Sequence, residues 1–303
     1  MAMTRAQLFD TLQKTLRGII DDTSDGYKSR SVLGELYQME TSDRAFEDYQ
    51  EYAGPPYISE KPEMAVVSTV EMSRGYGTRI WMRTFGARMF ASEEALDDCM
   101  YEDVVRGGRY LKEAAENTRE LDGAMTFGRA FNTDYTMGDG QPLCSASHTL
   151  PDGRTWSNLM STPEAPSYRS LMIARASVML YPNHAGIRAP RRLEKIVHPV
   201  EQTGAWDAIL NSQLAPYAGN TAEINVVKLK DGGLRHLGVP QLLNTSTNWF
   251  GLTDNPVGLK WFTRKPLTPY SKTDFEEGTL TFAIKERRGR GPVDARCIFG
   301  VAS

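Results

Sequence analysis

The chain has 303 residues, of which 40% are hydrophobic and 24% are charged, a composition typical of a folded globular protein with a sizeable core. The 35 Lys and Arg residues and 38 Asp and Glu residues leave a net charge of -3, which excludes a broad basic field that would attract nucleic acid or an anionic membrane. Any contact with DNA is therefore expected to be local.

The cysteines and the N-terminus indicate the compartment in which the chain folds. Cys99, Cys144 and Cys297 are odd in number and far apart, so neither a disulfide framework nor a zinc site is indicated. The N-terminus lacks the pattern of a signal peptide, and no apolar run approaches the ~20 residues of a membrane span. We expect folding in a cytoplasm, with no metal, no cofactor and no contact with a membrane.

The first 54 residues predict a helix followed by an extended arm. Apolar residues recur at helical spacing after Thr4, at Leu8, Leu12, Leu16 and Ile19, which predicts a helix with one apolar stripe. From residue 26 to residue 54 the sequence is polar and aromatic, which predicts an extended arm with short helical turns. Such an arm needs a partner surface.

Residues 55–88 have the alternating pattern of a β-hairpin. One strand is predicted from the alternation of Met64, Val66, Val70 and Met72, and a turn is predicted at residues 74–77. On the second strand, Ile80 and Met82 alternate with Arg79, Trp81 and Arg83. Two strands of roughly 12 to 15 residues would reach about 40 to 50 Å, too far for a lone two-stranded ribbon to be stable in water.

This ribbon is therefore expected to lie on another subunit. Aromatic and Arg side chains are common in interfaces, so the candidate inter-subunit contacts are Arg74, Tyr76, Arg79, Trp81 and Arg83. Packing of the same side chains within a larger sheet of this subunit is the alternative.

The pattern from residue 92 to residue 130 predicts a long spine helix. Ser92 is a suitable N-cap, and the helix has one apolar stripe at Leu96, Met100, Val104, Leu111, Ala115, Leu121 and Met125. Continued to residue 130, it would be roughly 60 Å long. Each of Gly107, Gly108 and Gly123 costs about 1 kcal/mol relative to Ala in a helix, so we expect a bend or break near them.

The rest of the chain alternates between short helices and strands. Helices are predicted at residues 167–180 and at 203–214, the second capped by Thr203. Strands are predicted at residues 193–200, 223–229, 249–252, 258–263, 279–285 and 295–301. The pattern favours an α/β or α+β unit after the spine helix.

Cys144 and His148 are the residues that could indicate an enzyme. They lie four positions apart and suggest a cysteine nucleophile with a histidine base, but such a pair normally meets across the fold with a third, orienting group. The interpretation preferred here is structural: His148 in a turn and Cys144 as a small buried side chain. The four histidines show no metal-binding spacing.

The basic cluster of Arg287, Arg288 and Arg290 has two interpretations. It could face packaged DNA and contact phosphates, or it could form salt bridges with Glu276 and Glu277 at a strand end. The salt-bridge interpretation is preferred.

Several motifs, in this order, resemble a known family. A hairpin with Phe85-Gly86 precedes the acidic helix start Glu93-Glu94. Phe131-Asn132 is followed by Gly138-Asp139-Gly140, Leu143, His148 and Trp156-Ser157-Asn158, and later by Arg191-Arg192-Leu193, Trp249-Phe250 and Asp294-Ala295-Arg296. This order resembles the major capsid proteins of tailed bacteriophages, which have the Hong Kong 97-type fold, and within them the phage Mu-like head proteins.

The resemblance implies an α+β protein with four parts. These are an N-terminal arm at residues 1–54, an extended loop at 55–88, a peripheral domain with the spine helix at 89–165 and 270–303, and an axial α/β domain at 166–269. The arm and the extended loop would overlap neighbouring subunits.

The implied function is structural, without enzymatic activity. The subunits would self-assemble into hexamers and pentamers of an icosahedral head that encloses double-stranded DNA. Scaffold, portal and decoration proteins are the expected partners, and the protein would lie in the virion capsid after assembly in the cytoplasm of a bacterial host. The alternatives are an encapsulin-like compartment shell, a cysteine hydrolase using Cys144 and His148, and a DNA-binding module.

Overall fold

The computed structural model describes residues 5–22, 27–53, 57–58, 60–64, 66–67, 69, 72–92, 101–214, 224–230, 233–242, 248–255, 257–274 and 279–302. Within these ranges, no helix combines the length and apolar character needed to cross a membrane. The chain divides into two units, the first with residues 1–47, 80–123 and 261–290 and the second with residues 48–79, 124–260 and 291–303. The four-part domain division implied by the family resemblance stays a prediction.

The described helices include those predicted in the first 22 residues, in the spine and near residues 167–180 and 203–214. They are α1 (Arg5–Asp21), α2 (Tyr27–Arg30), α3 (Leu33–Leu36), the spine helix α4 (Tyr101–Gly128), α5 (Tyr168–Met179), α6 (Thr203–Asn211) and α7 (Val226–Lys230). Ser167 caps α5 by accepting a hydrogen bond from the backbone N–H of Ser170, as Ser does at helix N-termini. The predicted start of the spine helix, at residues 93–100, lies outside the described residues.

The described strands are β1 (Gln38–Thr41), β2 (Phe46–Ala53), β3 (Ser73–Trp81), β4 (Arg83–Ser92), β5 (His148–Thr149), β6 (Thr155–Trp156), β7 (Leu193–Pro199), β8 (Arg235–Val239), β9 (Trp249–Thr253), β10 (Leu259–Asp274), β11 (Thr279–Pro292) and β12 (Ile298–Val301). They form two four-stranded sheets and two two-stranded ribbons, with the ribbons pairing β2 with β3 and β5 with β6.

The first unit is built on a sheet with strand order β1-β10-β11-β4. β11 and β4 are antiparallel, with Thr279 opposite Ser92, and β11 buries alternate side chains, as the period of a strand with one core face requires. The core contains Leu280, Phe282 and Ile284 of this strand together with Leu12, Leu16 and Ile20 of α1. The predicted apolar stripe of α1 is confirmed at Leu12 and Leu16.

The N-terminal arm packs on the spine helix of its own subunit. A Cβ on Gly108 would come within 2.5 Å of Leu16, and one on Gly107 within 2.9 Å of Met89. The spine glycines therefore permit close approach of other segments. The helix runs through these glycines without interruption, so the predicted break is wrong, and the alternative of a bend stays a prediction. The predicted apolar stripe is wrong at Leu121, which is 46% exposed.

Polar groups of the spine helix also hold the arm. Glu120, which is buried, accepts hydrogen bonds of 2.9 Å from the Tyr27 hydroxyl and 2.6 Å from the Ser31 hydroxyl. Lys112 donates to the backbone carbonyl of Asp22. Burial, followed by the nearby charge of Glu120, raises the pKa of Tyr27 to about 12. The partner surface predicted for the arm is thus supplied by its own subunit, and overlap of the arm with neighbours stays a prediction.

The second unit contains a mixed sheet with strand order β12-β9-β7-β8. β7 and β8 are parallel and are connected through α6 and α7, whereas β7 and β9 are antiparallel. Its core includes Leu171 of α5, Trp206 of α6 and Ile196, Trp249 and Phe299 of the sheet. The mixture of short helices and strands predicted for this part of the chain is confirmed.

Several local predictions are wrong. Residues 74–77 lie inside β3, which pairs with β2, and the described residues between 57 and 72 form no strand. Residues 226–230 are helical, although a strand was predicted at 223–229. Thr203 does not cap α6: Gln202 occupies that position without a side-chain bond.

Candidate assembly surface

The segment between β2 and β3 exposes a set of large apolar side chains. The exposed fractions are 90% for Ile58, 96% for Met64 and 94% for Val66, and Tyr57, Val67 and Met72 are also exposed. We call the described residues of this segment, 57–72, the ribbon tip. An apolar set of this size in water is typical of a surface covered by a partner.

The five predicted inter-subunit contacts lie on β3 or shortly after it. Arg74, Arg79, Trp81 and Arg83 are exposed and Tyr76 is half-buried. In the second unit, Arg79 makes a bidentate ion pair with Asp48 of β2, with Nε 2.6 Å and Nη2 2.8 Å from the two carboxylate oxygens. In the first unit, Trp81 packs on Phe46 at 5.2 Å between ring centres and remains 56% exposed.

The predicted alternation along this strand is confirmed by burial. Ile80 and Met82 are buried, at 3% and 6% exposure, whereas Arg79, Trp81 and Arg83 are exposed, so these three side chains lie on the opposite, outer face. Contact of that outer face with a second subunit stays a prediction.

The base of the β2–β3 ribbon is fixed within the second unit. Gly138 lies against the backbone carbonyl of Gly77, where any Cβ would clash at 2.6 Å. The carboxylate of Glu51 has Oε2 2.9 Å from His184 Nδ1 and Oε1 4.0 Å from Arg296. His184 Nδ1 makes no hydrogen bond to this carboxylate in spite of the short distance.

His148 lies in a buried cluster with Asp139 and Asn158. His148 Nδ1 is 2.7 Å from Asp139 Oδ2, and Nε2 is 3.1 Å from Asn158 Oδ1. The amide nitrogen of Asn158 donates to the carbonyls of Leu143 and Ala295. Asn158 Oδ1 must therefore accept, so both ring nitrogens of His148 face acceptors.

Electrostatics fix the charge of Asp139 in this cluster. Burial acts to raise the pKa of Asp139, but the hydrogen bond to His148 and the backbone N–H of Gln141 outweigh it and lower the pKa below its usual 3.8. The ring of Trp156 stacks on His148 at 5.0 Å, and the guanidinium of Arg296 lies 5.2 Å from the centre of the Trp156 ring system. The cluster is a buried structural network.

The cysteine hydrolase hypothesis is not supported by this geometry. Cys144 is fully buried, and burial raises the pKa of its thiol far above the usual range, whereas a nucleophilic cysteine needs the thiolate. His148 is occupied by Asp139 and Asn158. The cavity beside this cluster has about 20 Å³, room for one water molecule and not for a substrate.

In the described part of the chain, His, Cys, Asp and Glu side chains do not gather in groups of three that could hold a metal. Cys99 lies outside the described residues.

The predicted DNA-facing arginines belong to the first unit. Arg288 is 3% exposed, its Nε is 3.2 Å from Asp122, and its Nη1 contacts Glu286. Arg290 Nε is 2.9 Å from the other oxygen of Asp122. Glu276 and Glu277, the predicted partners, lie outside the described residues. DNA contact by Arg287, Arg288 and Arg290 stays a prediction.

Sequence comparison gives no relative: no protein-family model matches the chain, and no curated protein does either. Solved structures do resemble it. The capsid of Myoviridae phage XM1 has a TM-score of 0.55 at 10% identity, covering 88% of this chain and 89% of that chain. The procapsid of bacteriophage JBD30 has a TM-score of 0.52 at 13% identity, covering 99% of this chain and 76% of that chain. The chain has the Hong Kong 97-type capsid fold.

A third structure agrees with this assignment. The capsid of the native GTA particle has a TM-score of 0.52 at 13% identity and covers 89% of each chain. The predicted Hong Kong 97-type fold is thus confirmed at the level of the backbone, and the narrower likeness to the phage Mu-like group stays a prediction. At such low identity, a capsid fold is recognised by the order of its elements and not by shared residues.

Two features of this part of the molecule were not predicted from the sequence. The contact of Glu51 with His184 and Arg296 joins residues that are remote in sequence, and no local pattern predicts it. Asn158 was noticed only as part of the motif Trp156-Ser157-Asn158. Its position in a turn-rich segment that must bury backbone carbonyls was the available signal, since an Asn side chain can satisfy both donors and acceptors.

Proposed function

We propose that the chain is the structural major capsid protein of a tailed bacteriophage, which self-assembles into the hexamers and pentamers of an icosahedral head around double-stranded DNA. The observation that carries the proposal is the similarity in fold to phage capsids over almost the whole chain. The exposed apolar ribbon tip supports it, because a monomeric protein rarely leaves such a set uncovered.

Assembly supplies the mechanism. Each subunit would contact several neighbours through modest surfaces, among them the ribbon tip and the predicted contact residues of β3 and the start of β4, Arg74, Tyr76, Arg79, Trp81 and Arg83. Closed symmetry makes each later contact effectively intramolecular, so that a stable shell needs no single tight pair. The net charge of -3 suits an inner wall that holds DNA only weakly and non-specifically.

The proposal extends to partners and location. Scaffold, portal and decoration proteins would act with the subunits, and the shell would be part of the virion after assembly in the host cytoplasm. The chain would have no enzymatic activity, consistent with the buried thiol of Cys144 and the small cavity beside His148.

Electron microscopy of the purified full-length protein tests the proposal. We expect uniform icosahedral particles; a protein that remains monomeric at all concentrations would overturn the shell function. The contents then decide between the two shell hypotheses. Double-stranded DNA inside particles isolated from infected cells supports a phage head, whereas an enzyme cargo without DNA would favour the encapsulin-like alternative, for which the described residues offer no specific observation.

A further inference from the structure

Two histidines of the second unit lie in a row of polar contacts that ends in a hydrogen-bond acceptor on each side. His198 on β7 has Nδ1 2.7 Å from the carbonyl oxygen of Pro199 and Nε2 3.1 Å from Nδ1 of His236 on β8. His236 Nε2 is in turn 3.1 Å from Oδ1 of Asp207 on α6. The two imidazole rings are nearly parallel, at 22°.

The acceptors at the ends fix the number of protons in this row. A carbonyl and a carboxylate cannot donate, so the outer nitrogens, His198 Nδ1 and His236 Nε2, must carry hydrogen. The two inner nitrogens face each other, and a hydrogen bond between them needs one donor and one acceptor. Hydrogen bonds along the whole row therefore require three protons on the four ring nitrogens.

We propose that His198 and His236 form an acid-sensitive switch in which one proton is shared between their inner nitrogens, and that uptake of a further proton opens the contact between β7, β8 and α6. With four protons, two N–H groups and two positive charges would face each other at the observed 3.1 Å. The rings cannot keep this arrangement, so the pair must separate.

The environment of His198 determines the direction of the pH effect. His198 is fully buried, and this burial is the main influence that lowers its pKa below the usual 6.5. The charge of His236 acts in the same direction, while the Pro199 carbonyl and Asp207 oppose it. The unfolded chain binds the proton near pH 6.5 and the folded unit binds it only at lower pH. The stability of this contact is therefore lost as pH falls below 6.5.

The position of His236 indicates which part opens first. Among the described strands, β8 lies at the edge of this sheet and pairs only with β7, with His236 opposite Ile196. His236 is partly exposed and Asp207 is 52% exposed, so this side of the contact can hydrate when the pair separates. β9, on the other side of β7, contributes no residue to the contacts between His198, His236 and Asp207.

Hydrogen exchange of the full-length chain tests the proposal. After correction for intrinsic exchange, we expect residues 235–239 to exchange up to about tenfold faster at about pH 5.5 than near pH 6.5, the change that one linked proton produces over one pH unit. Residues 249–253 serve as the internal reference and should not respond. An equal response of both strands would overturn the proposal.

A variant pair separates the switch from a general effect of acid. His198→Asn keeps a donor for the Pro199 carbonyl but cannot titrate, so the pH response of residues 235–239 should disappear; His184→Asn, in the same unit, should leave it unchanged. If His198→Asn does not fold, histidine-selective NMR of the unmodified chain, which has four histidines, remains decisive. Uptake of the further proton by the His198–His236 pair at pH 6.5 or above would contradict the proposal. Neither experiment depends on whether the chain forms shells.

Discussion

The hydroxyl of Tyr37 donates a 2.7 Å hydrogen bond to the backbone carbonyl of Gly123 in the spine helix. Beside this bond, Leu33 of α3 occupies the place that a Cβ on residue 123 would take. The arm therefore packs into the space that the absence of a side chain at Gly123 leaves on the helix. This explains why the helix tolerates a glycine that costs about 1 kcal/mol relative to alanine.

Gly123→Ala should accordingly destabilise the first unit in spite of the better helix propensity of alanine. Overpacking against Leu33 costs typically 1 to 3 kcal/mol, and it should loosen the arm. Urea unfolding would measure the loss, and hydrogen exchange of residues 27–37 would locate it.

Gly128→Ala is the matched control for this substitution. A Cβ on Gly128, in the same helix, meets nothing within 4 Å, so this variant should be neutral or slightly more stable. Equal effects of the two variants would refute the role of Gly123 in docking the arm.

The difference between what the sequence predicts and what the structure contains is clear at these glycines. Periodicity predicted the spine helix and the apolar stripe of α1, because burial of one face repeats with the helical period. It could not predict that Gly108 and Gly123 serve close packing, since Leu16 and Leu33 lie far away in sequence. The pairing of β2 with β3 was not predicted either. The sequence pattern placed the turn of the hairpin at residues 74–77, which lie inside β3.

The predictions for individual side chains were limited in the same way: local patterns succeeded, and contacts between residues remote in sequence were not predicted. A local pattern predicted the alternation of Ile80 and Met82 with Trp81, and the structure buries the first two and exposes the third. The ion pairs of Arg288 with Asp122 and Glu286 needed the fold, because they join the spine helix to β11.

Asp122→Asn should be strongly destabilising. Asp122 accepts a hydrogen bond from Arg288 and forms an ion pair with Arg290, and Arg288 is buried, so neutralising this carboxylate leaves charge poorly compensated. Breaking such a buried network costs about 3 to 5 kcal/mol. Chemical denaturation near neutral pH gives the value.

Asp103→Asn provides the comparison. Asp103 pairs with Arg106 on the same helix, and both side chains are more than half exposed, so the loss should be about 0 to 1 kcal/mol. Comparable losses in the two variants would show that burial of Arg288 does not matter.

The thiol of Cys144 should be inert in the folded protein. Because burial raises its pKa, almost no thiolate is present near neutral pH, and alkylating reagents attack the thiolate. Peptide mapping by mass spectrometry should find Cys144 unmodified in native protein and modified after unfolding. Rapid labelling of the native protein would revive the nucleophile hypothesis, as would a hydrolytic activity abolished by Cys144→Ala.

Asp139→Asn should weaken the second unit in a pH-dependent way. The folded pKa of Asp139 lies below 3.8, so its ionised form contributes stability above that pH, and the contribution is lost as pH falls through the folded pKa. We expect a loss of about 1 to 3 kcal/mol at neutral pH, shrinking in strong acid. Asp134→Asn, at an exposed position, should change little, and a constant difference between Asp139→Asn and the unmodified chain at all pH values would contradict the assigned charge.

Replacing apolar side chains of the ribbon tip should separate folding from assembly. Met64 and Val66 are more than nine-tenths exposed, so the double variant Met64→Asp and Val66→Asp should retain the unfolding midpoint of the unmodified chain. If these side chains are covered in the shell, each charge would have to be buried without a partner, at a cost of several kcal/mol. Particle yield by electron microscopy should therefore fall to near zero. Lys61→Asp changes the net charge by the same amount in the same segment without removing apolar surface, and it should still give particles; normal shells from the double variant would exclude the ribbon tip as an assembly contact.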